Sequence, residues 1–294
     1  MQEAILTSQN LEICTQTFGT KGNPAIILIA GAASQAILWN QTLCHNLAKA
    51  GYFVIRFDSR DTGKSSGINY ESNPYNLTNM ALDIISILDW FDVERGHIVG
   101  MSMGGYIAQV LATIAPKRFI TLTLIMSTIN SLSLRGIRKV SNLPGQNAEI
   151  VQKIAQMYQV PRLNLDDRIK SLAEIWQLFN GNASLFPYEE WRQLAKESYA
   201  RAISKNAVRN HRLAILNSEA DRTEYLKNIT IPILVIHGGA DPIIRIEHAY
   251  YTKQHLPRAK LLIVEKMGHI LSSLFIDQVE DALLEHFKSD HNEN

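Results

Sequence analysis

Short runs of consecutive apolar, mostly β-branched residues recur through the first part of the chain: Ala25 to Ala30, Phe53 to Phe57, His97 to Gly100 and Leu122 to Met126. Unbroken apolar runs of this length fit strands buried on both faces of a parallel sheet. Between them the spacing lengthens to that of a helix. From Asn76 to Phe91, the residues Leu77, Met80, Ala81, Ile84, Ile85 and Leu88 fall on one face. Strands alternating with helices predict an α/β core around a doubly wound, mostly parallel sheet. From about residue 129 to 228 only helical spacing appears, for example Leu172, Ile175, Trp176 and Phe179, and strands return at Ile233 to Ile236 and Leu261 to Val264. The expected organisation is a core of residues 1–128 and 229–294, interrupted by a helical cap over 129–228. No internal repeat, low-complexity tract or linker-like run divides it further.

Composition narrows the class. A chain of 294 residues that is 46% hydrophobic can bury a sizeable core, which excludes disorder. With 29 Lys+Arg against 28 Asp+Glu the net charge is +1, and no basic run offers a footprint for nucleic acid; a small-molecule partner fits better. Two cysteines, Cys14 and Cys44, are too few for a disulfide scaffold and read as buried apolar residues of a cytoplasmic protein. The start, Met1-Gln2-Glu3-Ala4-Ile5, lacks the basic and apolar regions of a secretion signal. No apolar stretch reaches the roughly 18 residues of a membrane span. The expectation is a soluble, unprocessed chain.

The strand at His97 runs directly into Gly100-Met101-Ser102-Met103-Gly104-Gly105, and a helical stretch follows from Tyr106 to Ala115. A serine in a strand, G-x-S-x-G, helix context occupies a turn so sharp that side chains two residues to either side would collide unless both are glycine. The turn presents Ser102 at the carboxyl edge of the sheet, where ligands bind in open α/β folds. The helix beginning there supplies unpaired N–H groups and the positive end of its dipole. Ser102 is the candidate nucleophile.

A serine hydroxyl needs a base to take its proton and a carboxylate to orient that base, and in this architecture the chain order is Ser, acid, His. The strand ending at Gly238-Gly239 leads to Asp241-Pro242, and the strand ending at Val264 leads to Met267-Gly268-His269. Both loops fall at the edge that carries Ser102, so Asp241 is the candidate acid and His269 the candidate base. The stretch after Met126, Ser127-Thr128-Ile129-Asn130, holds no competing carboxylate. His237 at a strand end, and His248 and His255 on an expected helix, read as structural. His45, His97, His211, His286 and His291 have no catalytic context.

An oxyanion formed at Ser102 needs backbone donors. The small residues of Ala30-Gly31-Ala32-Ala33 follow the first central strand, so the N–H groups of Ala32 and Met103 are the natural pair. No H-E-x-x-H, paired C-x-x-C or G-x-x-x-x-G-K-[ST] occurs, and no metal or cofactor is implied.

With these motifs in place, the whole chain resembles an α/β-hydrolase with an inserted helical cap, and more narrowly the aclacinomycin methylesterase group and its neighbouring carboxylesterases. The resemblance is carried by Arg56-Phe57-Asp58-Ser59-Arg60-Asp61-Thr62-Gly63-Lys64-Ser65, by Asn73-Pro74-Tyr75, by His97 to Gly104, by Asp241-Pro242-Ile243 and by Met267-Gly268-His269. It implies Ser102, Asp241 and His269 as a catalytic triad, Ala32 and Met103 as oxyanion donors, and a small-molecule ester as substrate. The D-x-R-D-x-G-x-S stretch reads as a structural turn whose Asp58 and Arg60 can pair. Ala30-Gly31 stands where many members of this fold carry His-Gly. The cap aromatics Tyr158, Trp176, Phe179, Phe186, Tyr188, Trp191 and Tyr199 can roof an apolar pocket, and Trp176, Phe179 and Trp191 are the expected substrate contacts. The leading expectation is a serine hydrolase of carboxylic esters. An acyltransferase or a C–C bond hydrolase with the same triad, or a receptor on this fold without turnover, are the alternatives. A serine at the elbow excludes an Asp-nucleophile dehalogenase or epoxide hydrolase.

Overall fold

A computed structural model of the chain describes residues 1–136 and 143–289. Among the described residues there are eight strands, β1 (Gln2–Ser8), β2 (Leu11–Phe18), β3 (Ala25–Ile29), β4 (Phe53–Phe57), β5 (Gly96–Met101), β6 (Phe119–Ile125), β7 (Ile233–Gly238) and β8 (Lys260–Val264). They form one sheet in the order β1-β2-β4-β3-β5-β6-β7-β8. Every pairing from β4 to β8 is parallel; β1 with β2 and β2 with β4 are antiparallel. The doubly wound, mostly parallel sheet expected from the six apolar runs is present. The antiparallel β1 and β2 extend it at one edge.

Alternate residues of a strand face opposite sides of the sheet. In β3, Ala25, Ile27 and Ile29 enter one apolar cluster with helices α2 (Leu77–Trp90) and α3 (Met103–Ile114), while Ile26 and Leu28 enter another with α1 (Gln41–Lys49) and α10 (Ile276–Phe287). Both faces are buried, which is why the strand sequences lack alternation. The helix read over Asn76 to Phe91 forms as Leu77–Trp90. It starts where Asn76 Oδ1 accepts the Thr78 and Asn79 N–H groups and Asn79 returns the bond to the Asn76 amide.

Between β6 and β7 the described residues build α4 (Ala148–Gln159), α5 (Leu165–Phe179), α6 (Tyr188–Arg201), α7 (Ala207–Leu216) and α8 (Thr223–Lys227). One isolated antiparallel bridge, Asn130 with Asp221, closes this segment where it leaves and re-enters the sheet. Flanking it, Ser131 N–H donates to the Ala220 carbonyl at 2.8 Å and Arg222 N–H to the Ile129 carbonyl at 2.9 Å. The last core helix before α10 is α9 (Glu247–His255). Among the described residues no helix is long and apolar enough to cross a membrane.

The D-x-R-D-x-G-x-S turn after β4 ties the helical segment to the sheet, and here the expected Asp58–Arg60 pair is corrected. Arg60 reaches α2 instead, where Asp83 accepts from its Nε and Nη2 at 2.8 Å. Asp58 is fully buried and accepts from Ala36 N–H at 2.8 Å, Lys64 N–H at 3.0 Å and Arg201 Nη2 of α6 at 2.7 Å. The cause is the tight turn at Gly63. Its φ is +52°, and a Cβ there would lie closer than 3.0 Å to the Asp58 carboxylate. The turn thus folds back onto Asp58 and directs Arg60 away from it. Ile203 N–H then donates to the Gly63 carbonyl at 2.9 Å, and Asn210 Nδ2 to Asp61 Oδ2 at 3.0 Å.

Candidate active site

Ser102 sits between β5 and α3 at φ +54° and ψ −118°. A residue with a Cβ is strained at such a φ and stays there only if its surroundings hold it. The neighbours do so from both sides. Ser102 N–H donates to the Ile125 carbonyl of β6 at 2.9 Å, and Ser127 Oγ donates to the Ser102 carbonyl at 3.0 Å. The flanking glycines are required by contact: a Cβ on Gly100 would come closer than 3.0 Å to the Gly104 carbonyl, and one on Gly104 closer than that to the Ile29 and Ala30 carbonyls.

The three side chains selected from sequence order meet at this point. His269 Nε2 lies 2.9 Å from Ser102 Oγ, and His269 Nδ1 lies 2.7 Å from Asp241 Oδ2. A carboxylate can only accept, so the imidazole proton sits on Nδ1 and Nε2 is free to receive the serine proton. The other carboxylate oxygen, Asp241 Oδ1, accepts the Ile243 and Ile244 N–H groups at 2.8 and 2.9 Å. Asp241 and His269 are buried and Ser102 is half-buried, so the hydrogen-bonded row is shielded while its serine end stays reachable.

Gly31 backs directly onto the elbow. A Cβ placed on it would stand 3.3 Å from Ser102 Cβ and 3.8 Å from Oγ. Ala32 follows and is exposed, while the Met103 side chain is buried and its N–H opens α3. Among the described residues neither the Ala32 nor the Met103 N–H has an acceptor. Two uncommitted donors, one following Gly31 and one following Ser102 at the positive end of a helix, can stabilise negative charge on a bound carbonyl oxygen.

His237 is the nearest second imidazole, 3.8 Å from Asp241 Oδ2, but its Nε2 donates to the Ile244 carbonyl at 2.7 Å. It braces the Asp241 loop from behind, and burial pushes its pKa down. His248 is likewise buried between Thr128 Oγ1 and the Pro144 carbonyl. Among the described residues no three His, Cys, Asp or Glu side chains converge as a metal site. His291 lies outside the described residues.

The helical segment enters the site at the end of α5. His269 N–H donates to the Phe179 carbonyl at 2.7 Å, and a Cβ on Gly268 would come closer than 3.0 Å to the Asn180 backbone. Gly181, at φ +69°, would meet the Ala240 carbonyl in the same way. The chain at 179–181 is thereby wedged between the loops carrying Asp241 and His269. Of the expected substrate contacts, Phe179 is half-buried with its ring edge-on to His269. Trp176 and Trp191 are buried against each other at 5.1 Å, with Phe186 stacked on Trp191 at 5.8 Å. Trp191 also borders a cleft of about 200 Å³ with Leu38, Arg56, Glu197 and Leu271, and Ser102 is not among its lining residues. The Tyr158 side chain lies outside the described residues. Sequence reasoning missed His211, which bridges Ala33 and Arg60; a contact across 178 positions leaves no local pattern to find.

Comparison with known proteins agrees with this architecture. A rhodomycin D methylesterase of Streptomyces peucetius is 29% identical over 299 residues, covering 98% of this chain and 99% of that protein. A 3-oxoadipate enol-lactonase of Acinetobacter baylyi is 26% identical, covering 88% and 87%. Among solved structures, a 2-hydroxy-6-oxo-6-phenylhexa-2,4-dienoate hydrolase from Rhodococcus sp. strain RHA1 shares the fold at a TM-score of 0.78 and 22% identity, covering 98% of this chain and 99% of that one. An esterase from Exiguobacterium antarcticum does so at 0.76 and 20%, covering 98% and 100%. The family described as alpha/beta hydrolase fold matches residues 24–274, and the chain belongs to that family.

Proposed function

We propose that the chain is a serine hydrolase that cleaves a carboxylic ester of a small, mainly apolar substrate, with Ser102, His269 and Asp241 as its triad. The observation that carries this reading is the continuous relay from Ser102 Oγ through His269 to Asp241, at 2.9 and 2.7 Å, on a serine held at positive φ. Ser102 Oγ attacks the ester carbonyl while its proton passes to His269 Nε2. The carbonyl electrons move onto oxygen, where the N–H groups of Ala32 and Met103 receive them. Collapse breaks the bond to the alcohol oxygen, which takes the proton from His269. Water, deprotonated by the same nitrogen, then attacks the acyl-enzyme, and the acid leaves as Ser102 is reprotonated. Asp241 keeps Nδ1 protonated and balances the imidazolium formed midway.

The methylesterase and lactonase relatives support ester bonds as the target class, and a methyl ester lies within it. Residues 129–228 act as a cap over the site, with the Phe179 ring set edge-on to His269. The same relay serves a C–C bond hydrolase, a reading favoured by a relative named for 2-hydroxy-6-oxononadienedioate hydrolysis at 25% identity.

A panel of p-nitrophenyl esters from acetate to palmitate, alongside a vinylogous 1,5-diketone, tests the proposal. Repeated turnover of short esters is expected. Cleavage of the diketone alone would favour the C–C reading, and binding without turnover would favour a receptor.

A further inference from the structure

His211, in α7, is buried completely and joins two loops of the sheet edge. Ala33 N–H donates to its Nδ1 at 2.9 Å, and its Nε2 lies 2.8 Å from the Arg60 carbonyl oxygen. An amide N–H can only donate and a carbonyl can only accept, so the ring is neutral and carries its proton on Nε2. Burial pushes its pKa down, which keeps Nδ1 free as the acceptor.

The atom it holds belongs to a strained turn. Ser34 N–H donates to the Gly31 carbonyl at 3.2 Å, closing a four-residue turn with Ala33 in third place at φ +56°. A positive φ there marks a type II turn, which favours glycine. Alanine disfavours it, and unwinding of the turn at Ala32 and Ala33 would relieve the strain. The bond from Ala33 N–H to His211 opposes that unwinding. The preceding peptide joins Gly31, which backs onto Ser102, to Ala32, whose own N–H is uncommitted among the described residues.

We propose that His211 is a positioning residue for the oxyanion site: by anchoring the 31–34 turn to α7 at the Ala33 N–H it holds the adjoining Gly31–Ala32 peptide in place, with its Ala32 N–H available to the oxygen that becomes negative during acyl transfer. This rests on the ester hydrolase reading. It also makes the helical segment part of the apparatus, because α7 supplies the group that holds the core loop.

Two variants separate the bonds. In His211→Asn the side-chain oxygen takes the place of Nδ1 and still accepts from Ala33. In His211→Gln the side-chain amide takes the place of Nε2 and keeps the Arg60 contact alone. Loss of a whole oxyanion donor costs about 10²- to 10³-fold in kcat, so a misdirected one should cost less. With p-nitrophenyl acetate, His211→Gln should lose about tenfold or more in kcat with KM changed less than about twofold. Inhibition by a boronic acid, which mimics the tetrahedral state, should weaken by a similar factor, and His211→Asn should recover most of both losses. Equal kcat in His211→Gln and the unaltered chain overturns the proposal. So do equal losses in both variants that track a fall in thermal midpoint, which would mark a purely structural role. Absence of turnover by the unaltered chain overturns the ester hydrolase reading, and this inference with it.

Discussion

Phe179, the last residue of α5, accepts the His269 backbone N–H at 2.7 Å, and its ring stands edge-on to the imidazole with centroids 6.0 Å apart. The helical segment therefore grips the loop that carries His269, and does so next to an aromatic side chain in edge-on contact with the imidazole. Trp176, one turn earlier, and Trp191 of α6 are buried within an apolar cluster with Leu38, Phe186, Ala195 and Ile270, against which the half-buried Phe179 packs from the side of His269.

This division predicts opposite phenotypes. Phe179→Ala should shift chain-length preference among p-nitrophenyl esters by several-fold in kcat/KM with a modest loss of stability. Trp191→Ala should lower stability by about 3 to 5 kcal/mol, the usual cost of emptying a large buried aromatic site. Ester profiles and thermal midpoints of the two variants, measured together, decide the matter. A profile that moves with Trp191 and not with Phe179 would reverse the assignment.

Gly104→Ala should abolish the folded elbow, because its Cβ would lie closer than 3.0 Å to the Ile29 and Ala30 carbonyls of a fully buried strand end. Gly145→Ala, where the nearest atom is the Ser133 carbonyl at 3.5 Å, is the matched control and should remain near the unaltered stability. Circular dichroism melts of both variants check this.

Six core strands and the three site loops were legible because each apolar run is bounded by turn residues and each candidate side chain follows such a run. The edge strands β1 and β2 were not. Ile5 is half exposed, polar residues intervene, and these strands pair antiparallel outside the repeating strand and helix pattern. The pairing of Asp58 with Arg201 rather than Arg60 depends on a turn at Gly63 and a partner 143 positions away. The grip of Phe179 on His269 runs through a backbone carbonyl, which any residue would supply. No side-chain identity announces it.

Acid should weaken the fold through its buried imidazoles. His211, His237, His248 and His286 all have pKa values pushed down by burial, His286 from 6.5 to about 4. Such a group binds fewer protons folded than unfolded between the two values. Its contribution is therefore complete above about 6.5 and is lost as pH falls toward 4. Urea midpoints should be level from about pH 8 to 7 and decline from about 6.5 downward. His286→Leu should reduce the slope between about pH 6.5 and 5, before most carboxylates titrate. An unchanged slope in that variant would contradict the assignment.

Asp241→Asn keeps the size of the side chain but offers an amide where Nδ1 donates, which favours the tautomer with its proton on Nε2. A loss of up to about 10⁴ in kcat is expected, as for serine protease triads, with the fold intact. Asp277→Asn, on the exposed side of α10, should be indistinguishable from the unaltered chain. Similar activity in the two variants would remove Asp241 from the mechanism.

The central claim, that Ser102 is the nucleophile, is tested most directly by treating the chain with a fluorophosphonate and locating the adduct by peptide mass spectrometry. A single phosphonyl group on the peptide containing Ser102, absent in Ser102→Ala, is the result expected from the 2.9 Å contact with His269 Nε2. An adduct that persists in Ser102→Ala, or that maps to any other residue of the unaltered chain, would contradict it.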